Sequence, residues 1–469
     1  MIPMSLAQVA AVTGGKLSET ADPEAVVTGD VEFDSRKAGP GGLFLAIPGA
    51  KVDGHEFAAK AHEQGAVATI ATRPIDTPAV YVEDAVAALT ALAKDAAARS
   101  RATVVGVTGS NGKTSTKDLI AQLLENIGPT VATEGNFNNE LGHPYTVCKV
   151  KPDTDFLVLE LAARGIGHIT QLCEIAPPRI GVVLNVGISH LDGFGDIETT
   201  ALAKSELPRF LGEDDLVVLN ADDPRVARMA EVTRAKVRTF GIDNEADFRA
   251  VDLDHGDGRY AFRIDDGSHW DLPVRLGLWG RHQVLNALAA GVVARAEGET
   301  RFDLIQGLSK ATRKSQRRMD VFTRPDGTVV IDDSYNANPA SMGSAVRTLG
   351  QLPTEGRRIA VLGLMADLEE QSEACHRRLG EQAREAGVDE VIAVGDGTQP
   401  IVEGAAGDDR EHSIDGADGV TATHVPDQAA AIALLDNRLR PGDAVLVKGS
   451  RYRTWDVADH LRAKEETDQ

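Results

Sequence analysis

The sequence VVGVTGSNGKTST at residues 104–116 combines a β-branched run, a glycine-rich turn and the start of a helix. Lys113 and Thr114 open the helical pattern that continues through residues 118–124. Glycines allow backbone amides to surround a phosphate, while a helix N-terminus and a lysine add positive charge. A hydroxyl at the position of Thr114 can bind Mg²⁺. The stretch therefore predicts a loop that binds the phosphates of ATP or a similar nucleotide.

This loop departs from the strict Walker pattern, which places a glycine five residues before Gly112. The chain has Val107 there, so we expect Gly106 and Gly109 to make the tight turns. A bare Gly-Lys-Thr often occurs in ordinary loops, but one between a buried-strand pattern and a helix indicates phosphate binding. The expected nucleotide contacts in the loop are Gly109, Asn111, Gly112, Lys113, Thr114 and Ser115.

The composition is that of a globular protein, with 42% apolar and 26% charged residues. Domains usually contain about 150 residues, so the 469-residue chain is expected to form about three domains. The net charge of −22 argues against a nucleic-acid partner. It also means that any site for an anionic substrate must be locally basic. For most of the 71 acidic residues, however, solubility is a sufficient explanation.

The three cysteines, Cys148, Cys173 and Cys375, lack metal-ligand spacing and are odd in number, as expected for free thiols in a reducing compartment. The first eleven residues lack the basic and apolar segments of a signal peptide. No stretch reaches the ~18 apolar residues needed to span a bilayer. We therefore expect a cytoplasmic protein with no membrane partner. Nothing indicates an obligate subunit interface, so a monomer is expected.

Alternating strand and helix patterns divide the chain into three blocks. Residues 1–98 contain short strands such as GLFLAIPG at 42–49 and end in an alanine-rich helix over 85–98. Residues 99–315 and 316–469 each alternate strands with helices, which is typical of parallel βαβ units. We predict an α/β fold with a small mixed α/β N-terminal domain, a central P-loop-type domain whose mainly parallel sheet is flanked by helices, and a C-terminal Rossmann-like doubly wound domain. The predicted strands of the last two blocks are 103–107, 156–159, 180–185, 216–219, 328–331, 358–362, 390–394 and 444–447.

Ligands of open α/β sheets bind at the carboxyl ends of the strands. Glu160 follows the apolar strand 156–159, where P-loop enzymes place the carboxylate that binds magnesium, although it can also be an edge residue. His190 lies on the loop after strand 180–184, where it can bind a second metal or the γ-phosphate; a lone histidine is more often structural. Lys204, in a helical pattern, has the features of a solvated surface residue.

Five further stretches combine turns with polar side chains. Residues 280–290 lead from a glycine into an alanine-rich helix whose start can face a base or ribose, with plain helix capping as an equal alternative. Residues 329–339 run from a strand into a dense polar turn, which favours a ligand loop. Residues 445–451 repeat this arrangement with basic side chains suited to a carboxylate or phosphate. The loops 33–37 and 53–57 are individually unremarkable.

Taken together, these stretches resemble the Mur ligases of peptidoglycan synthesis over nearly the whole chain. The stretches that carry the resemblance are DSR at 34–36, VDGH at 52–55, TGSNGKT at 108–114, GNFNNELG at 135–142 and HLDGFG at 190–195. The sequence DSYNANP at 333–339 is typical of the members that add a dipeptide rather than diaminopimelate or lysine.

The resemblance implies an ATP-dependent amide ligase. Such an enzyme joins D-alanyl-D-alanine to UDP-N-acetylmuramoyl-tripeptide through an acyl phosphate and releases ADP and phosphate. The resemblance also implies that the first domain binds the uridine-diphosphate end through Ser35, Arg36 and His55.

For the central domain the resemblance implies ATP on Lys113 and Thr114, with Mg²⁺ on Thr114 and Glu160. A second Mg²⁺ would lie near His190 and near Lys204, which falls at the family's carbamylated lysine. Further implied ATP contacts are Asn286 at the adenine, Asp333 at the ribose and Arg318 at the phosphates. The implied dipeptide pocket contains Tyr335, Asn336 and Asn338.

Three alternatives remain open at this point. Another Mur ligase would add a single amino acid to the same type of substrate. Folylpolyglutamate synthetase shares the central loop but lacks a uridine-nucleotide domain, and the roughly 100 residues before the P-loop count against it. A P-loop ATPase that acts as a switch would hydrolyse ATP without forming an amide.

Overall fold

The computed structural model of the protein describes residues 1–49, 52–187, 196–256, 258–268, 272–407 and 419–466. The strands are β1 Met4–Ser5, β2 Lys16–Leu17, β3 Val26–Val27, β4 Val31–Glu32, β5 Leu43–Leu45, β6 Ala68–Ala71, β7 Ala79–Tyr81, β8 Thr103–Thr108, β9 Thr130–Ala132, β10 Phe156–Glu160, β11 Ile180–Val183, β12 Leu216–Asn220, β13 Lys236–Gly241, β14 Phe248–Asp254, β15 Arg259–Asp265, β16 Val274–Trp279, β17 Asp320–Thr323, β18 Val329–Asp332, β19 Arg358–Gly363, β20 Glu390–Val394, β21 Thr421–Val425 and β22 Ala444–Lys448.

Helices alternate with these strands along most of the chain. They are α1 Leu6–Thr13, α2 Ala58–Glu63, α3 Ala85–Arg99, α4 Lys113–Leu124, α5 Gly142–Val147, α6 His168–Ile175, α7 Ile197–Lys204, α8 Glu206–Phe210, α9 Pro224–Ala227, α10 Arg281–Ala296, α11 Arg301–Lys310, α12 Pro339–Gln351, α13 Ser372–Glu385, α14 Gln399–Ala406, α15 Gln428–Arg438 and α16 Trp455–Glu466, with 3₁₀ turns at Gly54–Phe57, Arg228–Glu231 and Glu369–Gln371.

The central sheet has nine strands in the order β16-β15-β14-β13-β12-β11-β8-β10-β9. The seven strands from β14 to β9 in that order pair in parallel, and β15 and β16 extend the sheet in antiparallel fashion. Because β8 lies between β10 and β11, the carboxyl ends of these three buried, β-branched strands are side by side. The loop that follows β8 therefore lies in the middle of this edge.

The C-terminal sheet has six strands in the order β17-β18-β22-β19-β20-β21, of which only β17 is antiparallel to its neighbour. Separate apolar clusters cover its two faces, as expected of a doubly wound sheet. β18, β22 and β19 are neighbours, so the loops at their carboxyl ends also meet. The N-terminal sheet is smaller, with the order β2-β7-β6-β5-β4 and one antiparallel pair, β2 with β7.

The first two sheets share one apolar core. Leu89 of α3 belongs to the same cluster of buried side chains as Leu157 of β10. The buried members of the two clusters around the C-terminal sheet all come from residues 319–461. Among the described residues of the central block, the half-buried Trp279 packs against one of those clusters. The C-terminal sheet is therefore much less tightly joined to the rest than the first two sheets are to each other.

The predicted α/β fold is confirmed, and all eight predicted strands occur within about two residues of their expected bounds. The antiparallel extension β14–β16 was not predicted. The cysteines are free thiols, as expected, and Cys148 and Cys173 are buried. Within the described ranges, no helix is both long and apolar enough to cross a lipid bilayer. The domain boundaries after residues 98 and 315 stay predictions.

Candidate active site

A cavity of about 1090 Å³ lies where the carboxyl ends of the central and C-terminal sheets face each other. Single small-molecule sites have volumes of roughly 300–1,000 Å³, so this cavity has room for more than one ligand. Most of the predicted site residues line it. They are Gly109, Asn111, Gly112, Lys113, Thr114, Ser115, Glu160, Lys204 and Asn286 from the central block, and Arg318, Asp333, Tyr335, Asn336 and Asn338 from the C-terminal block.

Two glycines, Gly109 and Gly112, give the loop after β8 its shape. The prediction was right for Gly109 but wrong for Gly106, which lies inside β8 and pairs with both neighbouring strands. Gly112 has a φ of 79°, and a Cβ added there would lie 2.6 Å from Asn286 Oδ1. Gly109 has a φ of 155°, and a Cβ there would lie 2.9 Å from Leu184 Cβ. Only glycine combines such dihedral angles with so close an approach. The loop therefore has the tight backbone that a phosphate-binding loop needs.

Lys113 is the first residue of α4, and its ammonium Nζ donates to the carbonyl of Gly109 at 2.7 Å. Desolvation lowers the pKa of this ammonium; the Glu160 carboxylate opposes the shift and the Arg318 guanidinium adds to it. The group thus lies over the phosphate loop, close to charges of both signs.

Glu160 is buried, with 2% of its surface exposed, at the end of β10, which lies between β8 and the edge strand β9 of the central sheet. Its Oε2 accepts a hydrogen bond from Thr114 Oγ1 at 2.7 Å, and its Oε1 accepts one from Asn138 Nδ2 at 2.8 Å. This position excludes the alternative of an edge residue. A hydroxyl and a carboxylate in contact are oxygen donors of the kind that Mg²⁺ prefers. The described residues contain no group of three or more His, Cys, Asp or Glu side chains that could hold a metal by themselves.

Lys204 is the last residue of α7 and is buried, with 4% of its surface exposed. The expectation of a solvated surface residue was therefore wrong, because the small side chains of α7 bring the lysine stem inside the protein. Desolvation and then the nearby charge of Lys113 lower the pKa of its amine to about 7. His190, the other predicted ligand of a second metal, lies outside the described residues.

Asn286 is buried inside α10, five residues after its start, and donates from Nδ2 to Gln283 Oε1 at 2.9 Å. The N-cap of α10 is Gly280, which makes no side-chain capping bond. Plain helix capping is therefore excluded as the explanation for Asn286. The close approach to Gly112 described above places its side chain against the phosphate loop.

The loop after β18 is held together by Lys448 at the end of β22. The Nζ of this lysine donates to Asp333 Oδ2 at 2.6 Å and to the carbonyl of Asn336 at 2.9 Å, and the residue is 3% exposed. The other oxygen of Asp333, Oδ1, accepts from the backbone amide of Met319 at 3.0 Å. Lys448 therefore stabilises the loop and neutralises Asp333. The basic charge expected of residues 445–451 remains available on Arg451.

Three domains described for one protein family match this chain, one after the other along the sequence. The Mur ligase family catalytic domain matches residues 30–122, the Mur ligase middle domain 107–294, and the Mur ligase glutamate ligase domain 317–451. A relative from Mycobacterium tuberculosis (strain ATCC 25618 / H37Rv), named UDP-N-acetylmuramoyl-tripeptide–D-alanyl-D-alanine ligase, is 45% identical over 96% of this chain and 96% of its own. The chain belongs to the Mur ligase family.

Two solved structures resemble this Mur ligase over nearly its full length. MurF from Acinetobacter baumannii has a TM-score of 0.84 at 28% identity, covering 99% of each chain. MurF ligase from Thermotoga maritima in complex with ADP has a TM-score of 0.78 at 30% identity, covering 94% of this chain and 99% of the other. The similarity extends across all three sheets.

The three residues predicted for the uridine nucleotide do not line the cavity of this Mur ligase. Ser35 is buried, while Arg36 is exposed and forms an ion pair with Asp34 at 2.8 Å. His55 is buried; its Nδ1 contacts Asp53 Oδ1 at 2.6 Å and its Nε2 accepts from the amide of Thr72 at 3.0 Å. Because both ring nitrogens of His55 are occupied within the protein, the structure gives this histidine a supporting role in its loop.

Two asparagines in the site had no predicted role. Asn138 holds Glu160, as described above. Asn185 follows β11, and its Oδ1 accepts from the amide of Asn111 at 2.8 Å while its Nδ2 donates to the carbonyl of Asn111 at 3.1 Å. The signal for Asn185 was present in the sequence of this Mur ligase, since a polar residue directly after a buried strand lies at the ligand edge.

Asn338, predicted for the dipeptide pocket, connects the two large sheets. Its Oδ1 caps α12 through the amide of Ser341 at 2.9 Å, and its Nδ2 donates to Asn111 Oδ1 at 2.6 Å. The side chain therefore joins the C-terminal block directly to the phosphate loop. Tyr335 and Asn336, by contrast, line the cavity without such a contact to that loop.

We expect Asn338→Asp to weaken this connection selectively. Aspartate caps a helix as well as asparagine does, but its carboxylate cannot donate to Asn111 Oδ1. Losing one hydrogen bond between the blocks should lower kcat roughly three- to tenfold, with little change in the dissociation constant for ATP. Steady-state kinetics and small-angle scattering with bound nucleotide would measure both effects. Asn338→Ser, which also caps, is the uncharged control, and unchanged kcat and scattering in both variants would contradict the expectation.

Proposed function

We propose that this Mur ligase joins D-alanyl-D-alanine to UDP-N-acetylmuramoyl-tripeptide and cleaves ATP to ADP and phosphate. The observation that carries the proposal is the single cavity in which the phosphate loop and Glu160 face the DSYNANP loop, residues 333–339. A ligase needs its nucleotide and its amine acceptor side by side. The names of relatives 45% and 35% identical to this chain support the same reaction.

The reaction consists of two transfers in one enclosed space. The terminal carboxylate of the tripeptide attacks the γ-phosphorus of ATP, so that an acyl phosphate forms and ADP leaves. The amine of the dipeptide then attacks the acyl carbon, loses a proton, and the C–O bond to phosphate breaks. Water would hydrolyse the acyl phosphate, so the two blocks must enclose it. The protein contributes mainly positioning and electrostatic stabilisation.

Lys113 neutralises charge that develops on the transferred phosphoryl group, as its place over the phosphate loop allows. Thr114 and Glu160 would hold Mg²⁺, which would supply positive charge to the phosphates of the nucleotide. Asn286, Arg318 and Asp333 are proposed to contact the adenine, the phosphates and the ribose of the nucleotide.

Lys204 is proposed to carry a carbamate that holds a second Mg²⁺ together with His190. The neutral amine adds to the carbon of CO₂ and releases one proton, which converts a base into an anionic oxygen ligand. An amine whose pKa lies at about 7 has a large neutral fraction at physiological pH, unlike an ordinary lysine. Burial beside the cavity makes Lys204 suited to this reaction.

We assign residues 1–98 to the uridine-diphosphate end, 99–315 to ATP and 316–469 to the dipeptide. Ser35, which is buried, and Arg36, which is exposed, are the proposed contacts of the nucleotide in the first block. Tyr335 and Asn336 are the proposed dipeptide contacts in the cavity. The cytoplasm, where ATP is produced, is the compartment that suits this reaction.

The test measures phosphate release and amide product together. ATP with magnesium is supplied alone, with UDP-N-acetylmuramoyl-tripeptide, and with the tripeptide and D-alanyl-D-alanine. We expect phosphate release to require both substrates and to equal the amount of pentapeptide product. Release that neither substrate changes would favour a P-loop ATPase switch. Product formed with a single amino acid in place of the dipeptide would favour another Mur ligase. Tripeptides with diaminopimelate or lysine as third residue would identify the accepted form.

A further inference from the structure

Two arginines contact the same aromatic ring in the C-terminal wall of the cavity. The guanidinium of Arg318 lies 4.1 Å from the centroid of the Tyr335 ring, and that of Arg451 lies 4.7 Å from it. Arg451 Nη2 also donates to the hydroxyl of Tyr335. All three side chains line the cavity. Contact with an aromatic face holds each guanidinium in place while leaving its N–H edge open to a ligand.

Neither arginine is paired with a carboxylate among the described residues, although the chain carries a net charge of −22. The neighbouring Arg317 shows the usual arrangement, because it forms an ion pair with Asp459 at 2.7 Å. The charge of Lys448 is likewise neutralised by Asp333. Two uncompensated guanidinium groups at a cavity wall indicate a site for anionic groups of ligands.

The two arginines have different neighbours in the cavity wall. Arg318 is close enough to Lys113 to influence it electrostatically, so it belongs with the phosphates. Arg451 follows β22, and its loop is fixed by two hydrogen bonds of Ser450 to the loop after β19. The Ser450 amide donates to the carbonyl of Leu364 at 2.9 Å, and its Oγ accepts from the amide of Ala366 at 2.9 Å. Arg451 therefore stands on a fixed backbone in the C-terminal wall of the cavity.

We propose that Arg451, held by Tyr335, binds the C-terminal carboxylate of the incoming amino substrate. The inference rests on the proposed function and specifies how the substrate is recognised. An extended dipeptide separates its amine from its carboxylate by about 7 Å. With the carboxylate on Arg451, the amine would extend towards the phosphate side of the cavity, where Arg318 contacts the same Tyr335 ring. Arg451 thereby selects a substrate with a free carboxylate.

The test compares D-alanyl-D-alanine with D-alanyl-D-alanine amide, which has no carboxylate. Wild-type enzyme should use the acid with a kcat/KM roughly 10- to 100-fold above that of the amide, because a hydrogen-bonded charge pair is lost. Arg451→Ala should lower kcat/KM for the acid by a similar factor and leave the amide nearly unchanged. The preference for the acid would then disappear. Arg451→Lys, which keeps the charge but not the planar fork, should retain part of it.

Two controls make the result decisive. Arg453→Ala removes the other arginine of this loop that lines the cavity and should keep the preference for the acid; loss of the preference in this variant would overturn the assignment to Arg451. ATP affinity measured by calorimetry reports whether each variant is folded, and Arg451→Lys replaces Arg451→Ala if the latter is not. An Arg451 variant that still prefers the acid as strongly as wild type would also overturn the proposal. If wild-type enzyme forms no amide from either compound, the proposed function itself fails, and the inference fails with it.

Discussion

Lys113→Ala should lower the kcat for ATP-dependent amide formation by at least about 10²–10³-fold, because one preorganised positive group facing the transferred phosphoryl is lost. The wild-type ammonium lies over the phosphate loop and donates to Gly109 O at 2.7 Å. Desolvation strengthens its interaction with a nearby anion, since little water screens the charge. The loss should appear chiefly in kcat, because other loop groups still bind the nucleotide.

The measurement is coupled phosphate release at saturating substrates, together with the dissociation constant for ATP from calorimetry. Lys113→Met tests the charge at nearly constant side-chain length and should lose as much activity as Lys113→Ala. Lys236→Ala, at an exposed lysine of the same sheet, is the matched control and should behave as wild type. Amide formation by Lys113→Met within a few-fold of wild type would show that the charge of Lys113 is not needed.

Lys204→Ala and Lys204→Arg should both lose at least about 10²-fold in kcat. If activity required only the positive charge of Lys204, the Lys204→Arg variant would remain active. If activity requires a carbamate, both variants lose activity, because neither alanine nor arginine can form one. The pH dependence follows from the pKa of about 7. Above that pH the amine is neutral and can add CO₂, whereas below it the amine is protonated. Wild-type activity should therefore fall as the pH falls through about 7.

The carbamate itself can be observed by ¹³C NMR after equilibration with ¹³C-bicarbonate. We expect one carbamate signal that is absent in Lys204→Arg, and a gain in wild-type activity at pH 6.5 when bicarbonate is added. Full activity of Lys204→Ala would exclude the second metal ligand and leave the ligase assignment intact. A bicarbonate effect of equal size in Lys204→Arg would place the effect elsewhere.

The positions of eight parallel strands could be predicted from the sequence, because each of them is a short apolar run next to a helix, whereas their order in the sheets was not predicted. The same rule placed Glu160 at the ligand edge, since a carboxylate directly after a buried strand has few other positions. The strands β14–β16 were missed because they lie at the outer end of the sheet, and β15 alternates exposed with buried residues instead of forming an apolar run. The sequence of a half-exposed strand at the end of a sheet therefore predicts the strand less clearly than the sequence of a buried strand does.

The burial of Lys204 could not be predicted from the neighbouring sequence. Its spacing on α7 is compatible with either exposure or burial, and only the packing of α7 against the neighbouring helices α6 and α8 decides between them. The hydrogen bond from Asn338 to Asn111 joins residues 227 positions apart, so no periodicity could indicate it. For Lys204 a family resemblance supplied a role that the residues alone did not.

The apolar core shared by the first two sheets determines how the polypeptide can be divided. A cut of the chain near residue 99 would expose to solvent the hydrophobic surfaces by which α3 and the central sheet contact each other. We expect both pieces to aggregate. A cut in the segment 311–316 would instead separate parts of the chain that have distinct hydrophobic cores. The first two sheets therefore form one packing unit, and the carboxyl-terminal third forms another.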